Sequence, residues 1–114
     1  VIPVFQTPVP TVDVAAVPAD ALLLDVREQD EWDAGHVEGA LHIPMGEIVQ
    51  RIDELPADDR RLYVVCRVGG RSAQVVRYLA AQGRDAVNVD GGMYAWEAAG
   101  RPMAASGDSP AYVL

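Results

Sequence analysis

Apolar positions along the chain follow two rhythms. Leu22-Leu23-Leu24-Asp25-Val26, Leu62-Tyr63-Val64-Val65 and Ala86-Val87-Asn88-Val89 are short, nearly unbroken apolar runs. Runs of this length fit strands buried on both faces, as in a parallel sheet. Ala40-Leu41-His42-Ile43 is a further short strand, ended by Pro44. Between the strands the period changes. Gly46 to Leu55 carries Ile48, Val49, Ile52 and Leu55, and Ser72 to Ala81 carries Ala73, Val76, Leu79 and Ala80 on one side. Both patterns predict helices, and Gly83 stops the second. Glu28 to Ala34 predicts a short acidic helix closed by Gly35, and Met93 to Ala99 a helix ended by Gly100. Near the N-terminus, Pro3, Pro8 and Pro10 block a helix, so residues 1–10 read as an extended arm with an edge strand near Val9 to Val12. Asp13 caps a short helix, Val14 to Val17, which Pro18 stops.

Strands alternating with helices predict an α/β fold: a mostly parallel sheet covered on both faces. The chain divides into the arm, a compact domain over residues 11–103 and a tail over 104–114, of which Gly107 to Leu114 is expected to pack loosely on the body.

Composition narrows the function classes. The 114 residues make one domain of ordinary size, and half of them are hydrophobic, so a core forms without disulfides or metals. The net charge is −8, and all the basic residues are arginine. An acidic surface argues against nucleic-acid and membrane partners, while a local arginine pair still attracts a small anion. The single cysteine excludes an intramolecular disulfide and a multi-cysteine zinc site, and it suits a reducing compartment. No apolar run approaches a membrane span, and no basic region followed by an apolar block marks a signal peptide, so the chain reads as cytoplasmic.

That cysteine is where the chemistry points. Cys66-Arg67-Val68-Gly69-Gly70-Arg71-Ser72 joins an apolar strand to a helix. A turn of this kind aims backbone N–H groups at one point and sets a helix N-terminus there; both favour an anion. The thiolate is an anion and the reactive form of cysteine. Ligand sites in parallel α/β sheets lie at the carboxyl ends of strands. Asp25 and Arg27 after one strand, Cys66 after another and Asp90-Gly91-Gly92 after a third all fall there.

Three segments carry a resemblance to single-domain rhodaneses, which are sulfurtransferases. They are Leu24-Asp25-Val26-Arg27-Glu28 with Glu31-Trp32 and Gly35-His36-Val37-Glu38-Gly39-Ala40-Leu41-His42-Ile43-Pro44; the loop Cys66 to Ser72; and Gly91-Gly92-Met93-Tyr94-Ala95-Trp96 with Gly100 and Pro102. The resemblance spans roughly Thr11 to Pro102. It implies a three-layer α/β/α domain around a parallel sheet of about five strands. It implies that Cys66 is the nucleophile and carries a persulfide, with sulfur taken from thiosulfate or a similar anionic donor and passed to cyanide, a thiol or a protein acceptor. The amides of Arg67, Val68, Gly69, Gly70, Arg71 and Ser72 would cradle the added sulfur. Arg67 and Arg71 would attract the donor, Arg71 the better placed. No metal or organic cofactor is called for. An alternative within the family is a binding or sulfur-relay module that acts only inside a partner complex.

Spacing separates this loop from cysteine phosphatases, whose arginine follows the cysteine after five residues. Here Arg71 comes after four and the next position is Ser72, a loop sized for sulfur before phosphate. Other candidates read as structural. Asp25 and Arg27 suit an ion-pair frame that fixes neighbouring loops, and Gly91-Gly92 a turn packed against the active loop. His36 and His42 suit structural hydrogen bonds before a base or metal role. Trp32 and Trp96 suit core or pocket wall, and Glu28 to Asp33 a solvated helix face. Arg67 points either into the pocket or into solvent, and Arg71 either binds the donor or pairs with an acid.

Overall fold

The structure, a computed structural model, describes residues 8–114. Most of the expected arm, residues 1–7, lies outside the described residues. The five strands are β1 (Thr11–Val12), β2 (Leu22–Asp25), β3 (Leu41–His42), β4 (Leu62–Val65) and β5 (Ala86–Val89). They form one sheet in the order β1-β5-β4-β2-β3, and every pairing is parallel. This is the α/β fold that the run lengths predict.

Strand alternation sorts the side chains into two cores. Leu24, Leu62, Val64 and Ala86 face α2 (Gly70–Ala81), which buries Ser72, Val75, Val76 and Leu79 against them. The expected apolar side of that helix is therefore rotated: Val75 and Ser72 replace Ala73 and Ala80, and Ala80 is exposed. On the opposite face, Leu23, Val65 and Val89 pack with Val14, Val17 and with Met93 and Trp96 of α3 (Gly92–Ala98). Asp13 accepts from the Ala15 N–H at 2.8 Å and caps the 3-10 turn that begins at Val14, as its sequence position predicts.

Three expectations need correction. Gly46 to Leu55 is not one helix; 3-10 turns at Met45–Glu47 and Ile52–Glu54 flank a stretch of turns. Ile48 and Leu55 still reach the core and Ile52 packs against it, but Val49 is exposed, so the apolar spacing reports burial only in part. A segment of about ten residues with an early glycine and no side-chain cap is too short to hold a helix by itself. The helix α1 (Gln29–Ala34) is not wholly solvated: Glu31 turns inward to Arg71, with 14% of its side chain exposed. The tail is held rather than loose. Tyr112 N–H donates to Ala34 O at 3.0 Å and Val113 N–H to Glu97 Oε2 at 2.9 Å, and Ala104 pairs with His36 through two backbone bonds.

The strand order sets the site. The connection after β2 leaves toward β3 at one edge, and the connection after β4 leaves toward β5 on the other side. The carboxyl ends of these two adjacent strands therefore form the switch point of the sheet, where α/β sheets place ligands.

Candidate active site

Cys66 follows β4 directly, and its side-chain direction continues the alternation of Leu62 and Val64 toward α2. The chain must then turn sharply into a helix. Gly69 allows this by taking φ +115°, a conformation that strains residues with a Cβ. The turn brings the Gly69 N–H to 3.0 Å from Cys66 Sγ, and Ser72 Oγ lies 3.3 Å from the same sulfur. Burial raises the thiol pKa, but hydrogen bonds from the Ser72 hydroxyl and from the backbone N–H groups of Ser72, Gly69 and Val68 outweigh it. The net effect holds Cys66 below its ordinary value. Of the amides expected to form a cradle, that of Gly69 hydrogen-bonds the sulfur, and those of Val68 and Ser72 favour its charged form.

The outer wall of the loop is α3. Met93 and Tyr94 donate their backbone N–H groups to the carbonyls of Cys66 and Arg67 at 2.8 and 2.9 Å. These bonds tie the loop to the start of α3. They also require a close approach: a Cβ on Gly92 would collide with the Cys66 carbonyl oxygen and with Arg67. The neighbouring Gly91 has φ +74°, and a Cβ there would strike Ala95, so the expected close-packed turn needs both glycines.

Asp25 and Arg27 form the expected frame. The Arg27 Nε donates to Asp25 Oδ1 at 2.9 Å and Nη2 to Oδ2 at 2.7 Å. The same guanidinium reaches Gly35 O at 2.7 Å and Glu31 O at 3.3 Å. Both side chains are buried. Arg27 thus ties the end of β2 to the last turn of α1. His36 and His42 stack on the two sides of Trp32, at 3.8 and 4.6 Å between centroids, and turn ring nitrogens to the carbonyls of Trp32 and Arg27. Among the described residues no cluster of histidine, cysteine, aspartate or glutamate has the shape of a metal site.

The two loop arginines take different surroundings. Arg71 is clamped by Glu31 through two bonds of 2.7 and 2.8 Å. The Arg71 hydrogen bond holds the Glu31 carboxyl down at about 2, and Glu31 in turn raises Arg71. Arg71 keeps a favourable electrostatic interaction with Cys66. Arg67 lies on the surface; its Nε donates to the backbone oxygen of Leu114 at 3.1 Å, and its guanidinium sits 5.8 Å from the Tyr94 ring centroid.

Two residues of the site escape a reading of the sequence. Glu31 belongs to a run of acids, and although Glu31-Trp32 is part of the resemblance, nothing in the run marks its side chain as the partner of Arg71. Asn88 carries a signal: it is the single polar residue in the buried run Ala86–Val89. Its Oδ1 lies 2.6 Å from Ser72 Oγ, and its Nδ2 donates to Gly69 O at 3.2 Å.

Comparison with known proteins agrees with this geometry. The family model of the rhodanese-like domain matches residues 13–99. The chain is 44% identical over 80 residues to the protein YtwF of Bacillus subtilis, covering 70% of this chain and 77% of YtwF. It is 41% identical over 87 residues to a sulfurtransferase of Allochromatium vinosum, covering 75% of this chain and 80% of that one. Among solved structures, a rhodanese-related protein of Thermoplasma volcanium superposes with a TM-score of 0.78 at 30% identity, covering 83% of this chain and 97% of that chain. With a five-stranded parallel sheet, a cysteine loop between β4 and α2 and relatives named as sulfurtransferases, the chain belongs to the rhodanese-like domain family.

Proposed function

We propose that the protein transfers sulfane sulfur through a persulfide on Cys66. The observation that carries this reading is the approach of the Gly69 N–H to 3.0 Å and of the Ser72 hydroxyl to 3.3 Å from a single buried sulfur, which favours the thiolate. In the first step the Cys66 thiolate attacks the outer sulfur of thiosulfate. An S–S bond forms to Cys66, the S–S bond of thiosulfate breaks, and sulfite leaves with the bonding pair. In the second step cyanide or a thiolate attacks the outer sulfur and releases the Cys66 thiolate. Charge balances in both steps, and neither step calls for a metal or redox cofactor.

The loop residues take these roles. The amides of Arg67 to Ser72 surround the added sulfur. Arg71 holds the anionic donor with the N–H groups that Glu31 leaves over, since a guanidinium has five donors and Glu31 takes two. Arg67 stands at the outer rim. Asp25, Arg27 and Gly91 support the loop without touching the donor. Residues 11–103 form the working domain. The test is a steady-state assay of thiosulfate and cyanide: Cys66→Ser loses all turnover while its circular dichroism is unchanged, and retained turnover in the folded variant would overturn the reading.

One observation favours a second reading. Val68, Tyr94, Tyr112 and Leu114 are exposed apolar residues, and Arg67 bridges Tyr94 and Leu114 at the rim of the loop. Such a rim suits a protein that delivers or accepts sulfur within a complex. In that case a protein persulfide loads Cys66 and thiosulfate does not.

A further inference from the structure

Asn88 has no place in the steps above, yet it is built into the site. Its position in β5 is buried, with 7% of the residue exposed, and it faces α2 alongside Ala86. The orientation of its amide is decided by Gly69 O, which accepts only, so Nδ2 must face it and Oδ1 must face Ser72. Oδ1 in turn accepts only. Ser72 has one hydroxyl proton and two acceptors around it, Asn88 Oδ1 at 2.6 Å and Cys66 Sγ at 3.3 Å. It cannot serve both.

We infer that the Ser72 hydroxyl is a two-position donor held by Asn88, which makes Asn88 a positioning residue for the reactive sulfur. While Cys66 is a neutral thiol, the Ser72 proton lies on Asn88 Oδ1, and the S–H donates to Ser72 Oγ. When Cys66 ionises, its proton leaves to solvent, the hydroxyl rotates toward Sγ, and Asn88 Oδ1 loses its donor. No bond to a heavy atom forms or breaks. Ionising Cys66 therefore costs the buried Ser72–Asn88 hydrogen bond, and Asn88 holds the sulfur more basic than the loop alone would. A more basic sulfur is the stronger nucleophile and the poorer leaving group, so this contact sets the balance between loading and unloading.

The titratable and charged groups around this end of the sheet are Arg67 and Arg71 on the loop, Asp25 and Arg27 after β2, Glu31 in α1, His42 at the end of β3 and Asp90 after β5. Their hydrogen bonds, where described, go elsewhere: Arg71 to Glu31, Arg27 to Asp25, His42 to Arg27 O and Arg67 to Leu114 O. Gly69 O has a second donor, Ala73 N–H at 3.1 Å, so the loop keeps a tie to α2 when the Asn88 amide is removed.

The inference rests on Cys66 as the nucleophile, but its test reads the thiol itself and not sulfur transfer. The pH dependence of iodoacetamide alkylation gives the Cys66 pKa in four proteins: wild type, Asn88→Leu, Ser72→Ala and the double variant. Asn88→Leu lowers the pKa by about half to one unit, the size expected for one neutral hydrogen bond. Ser72→Ala raises it, and in the Ser72→Ala background Asn88→Leu has no further effect. An unchanged or raised pKa in Asn88→Leu, or an equal shift in both backgrounds, overturns the inference. A second measurement needs no change at Asn88. In the wild type the Asn88 side-chain carbonyl carbon shifts in NMR with the midpoint of Cys66 ionisation, and Ser72→Ala abolishes that shift. A signal that stays still through the Cys66 titration, or that moves equally in Ser72→Ala, overturns it as well. Failure of persulfide formation with these titrations intact would count against the sulfur-transfer reading alone.

Discussion

Cys66 is a buried thiol whose environment overrules its burial. Desolvation alone pushes a thiol toward the neutral form, and the donors of the loop reverse that preference. The sequence already pointed to this residue through its place between an apolar strand and a glycine-rich helix start. The pairing of Asp25 with Arg27 was legible for a similar reason, since two opposite charges at the end of a buried strand must meet or neutralise. Arg71 was legible only by half. Its position in the loop follows from counting residues, but its clamp to Glu31 depends on the tertiary fold bringing α1 to the loop, which local pattern does not encode. The clamp fixes the guanidinium in place and lowers its net charge toward a donor. Arg71→Ala therefore raises the thiosulfate KM about tenfold, with a smaller change in kcat; steady-state kinetics reads this split directly. An unchanged KM would remove Arg71 from donor binding. Asn88 shows the limit of reading from pattern alone. A polar residue in a buried strand announces a partner but not which one, because Ser72 stands sixteen positions away in the chain.

At the scale of elements, the site is a loop squeezed between two helix starts. The turn into α2 supplies the Gly69 N–H and the Ser72 hydroxyl to the sulfur, and the start of α3 holds the loop carbonyls of Cys66 and Arg67. Both depend on glycines that the motif itself displays. Gly92 has φ +54° and no room for a Cβ beside Cys66 O. Gly92→Ala combines backbone strain with a steric push on the loop, so it lowers stability by about 1–3 kcal/mol in chemical denaturation and reduces Cys66 alkylation below its wild-type rate. A variant with wild-type stability and reactivity would show that α3 does not brace the loop. The stretch from Gly46 to Leu55 carries the opposite lesson. Its apolar spacing gave the buried residues Ile48 and Leu55, while the backbone took separate 3-10 turns. The same spacing failed for Val49, which is exposed. Whether ten residues form one helix is not decided by length or a side-chain cap alone, since α3 is shorter, has no side-chain cap and is helical.

For the whole molecule, strand and helix alternation predicts a parallel sheet with its site at the strand carboxyl ends, and the order β1-β5-β4-β2-β3 places the switch point between β2 and β4. What pattern does not give is how the ends of the molecule are fastened. The tail bonds to Ala34 and Glu97, and its Leu114 oxygen takes the Arg67 side chain. Across the top of the site, Glu31 and Arg71 join α1 to α2. With its ordinary value at 4.5 and its folded value at about 2, Glu31 contributes its full stabilisation above pH 4.5, and this is lost as the pH falls toward 2. The contribution is about 1 kcal/mol once the partial exposure of the pair is allowed for. Urea denaturation of wild type and Glu31→Gln across this range should show a gap that closes as the pH falls; a constant gap would mean that the ion pair does not stabilise the fold. In the function proposed above, these features serve one chemical event, the transfer of a sulfur atom to Cys66. Intact-protein mass spectrometry after incubation with thiosulfate reads it directly. The wild type gains one sulfur atom, about 32 Da, which cyanide removes, and Cys66→Ser gains nothing. A wild-type mass unchanged by thiosulfate and by a protein persulfide alike would contradict sulfur transfer through this cysteine.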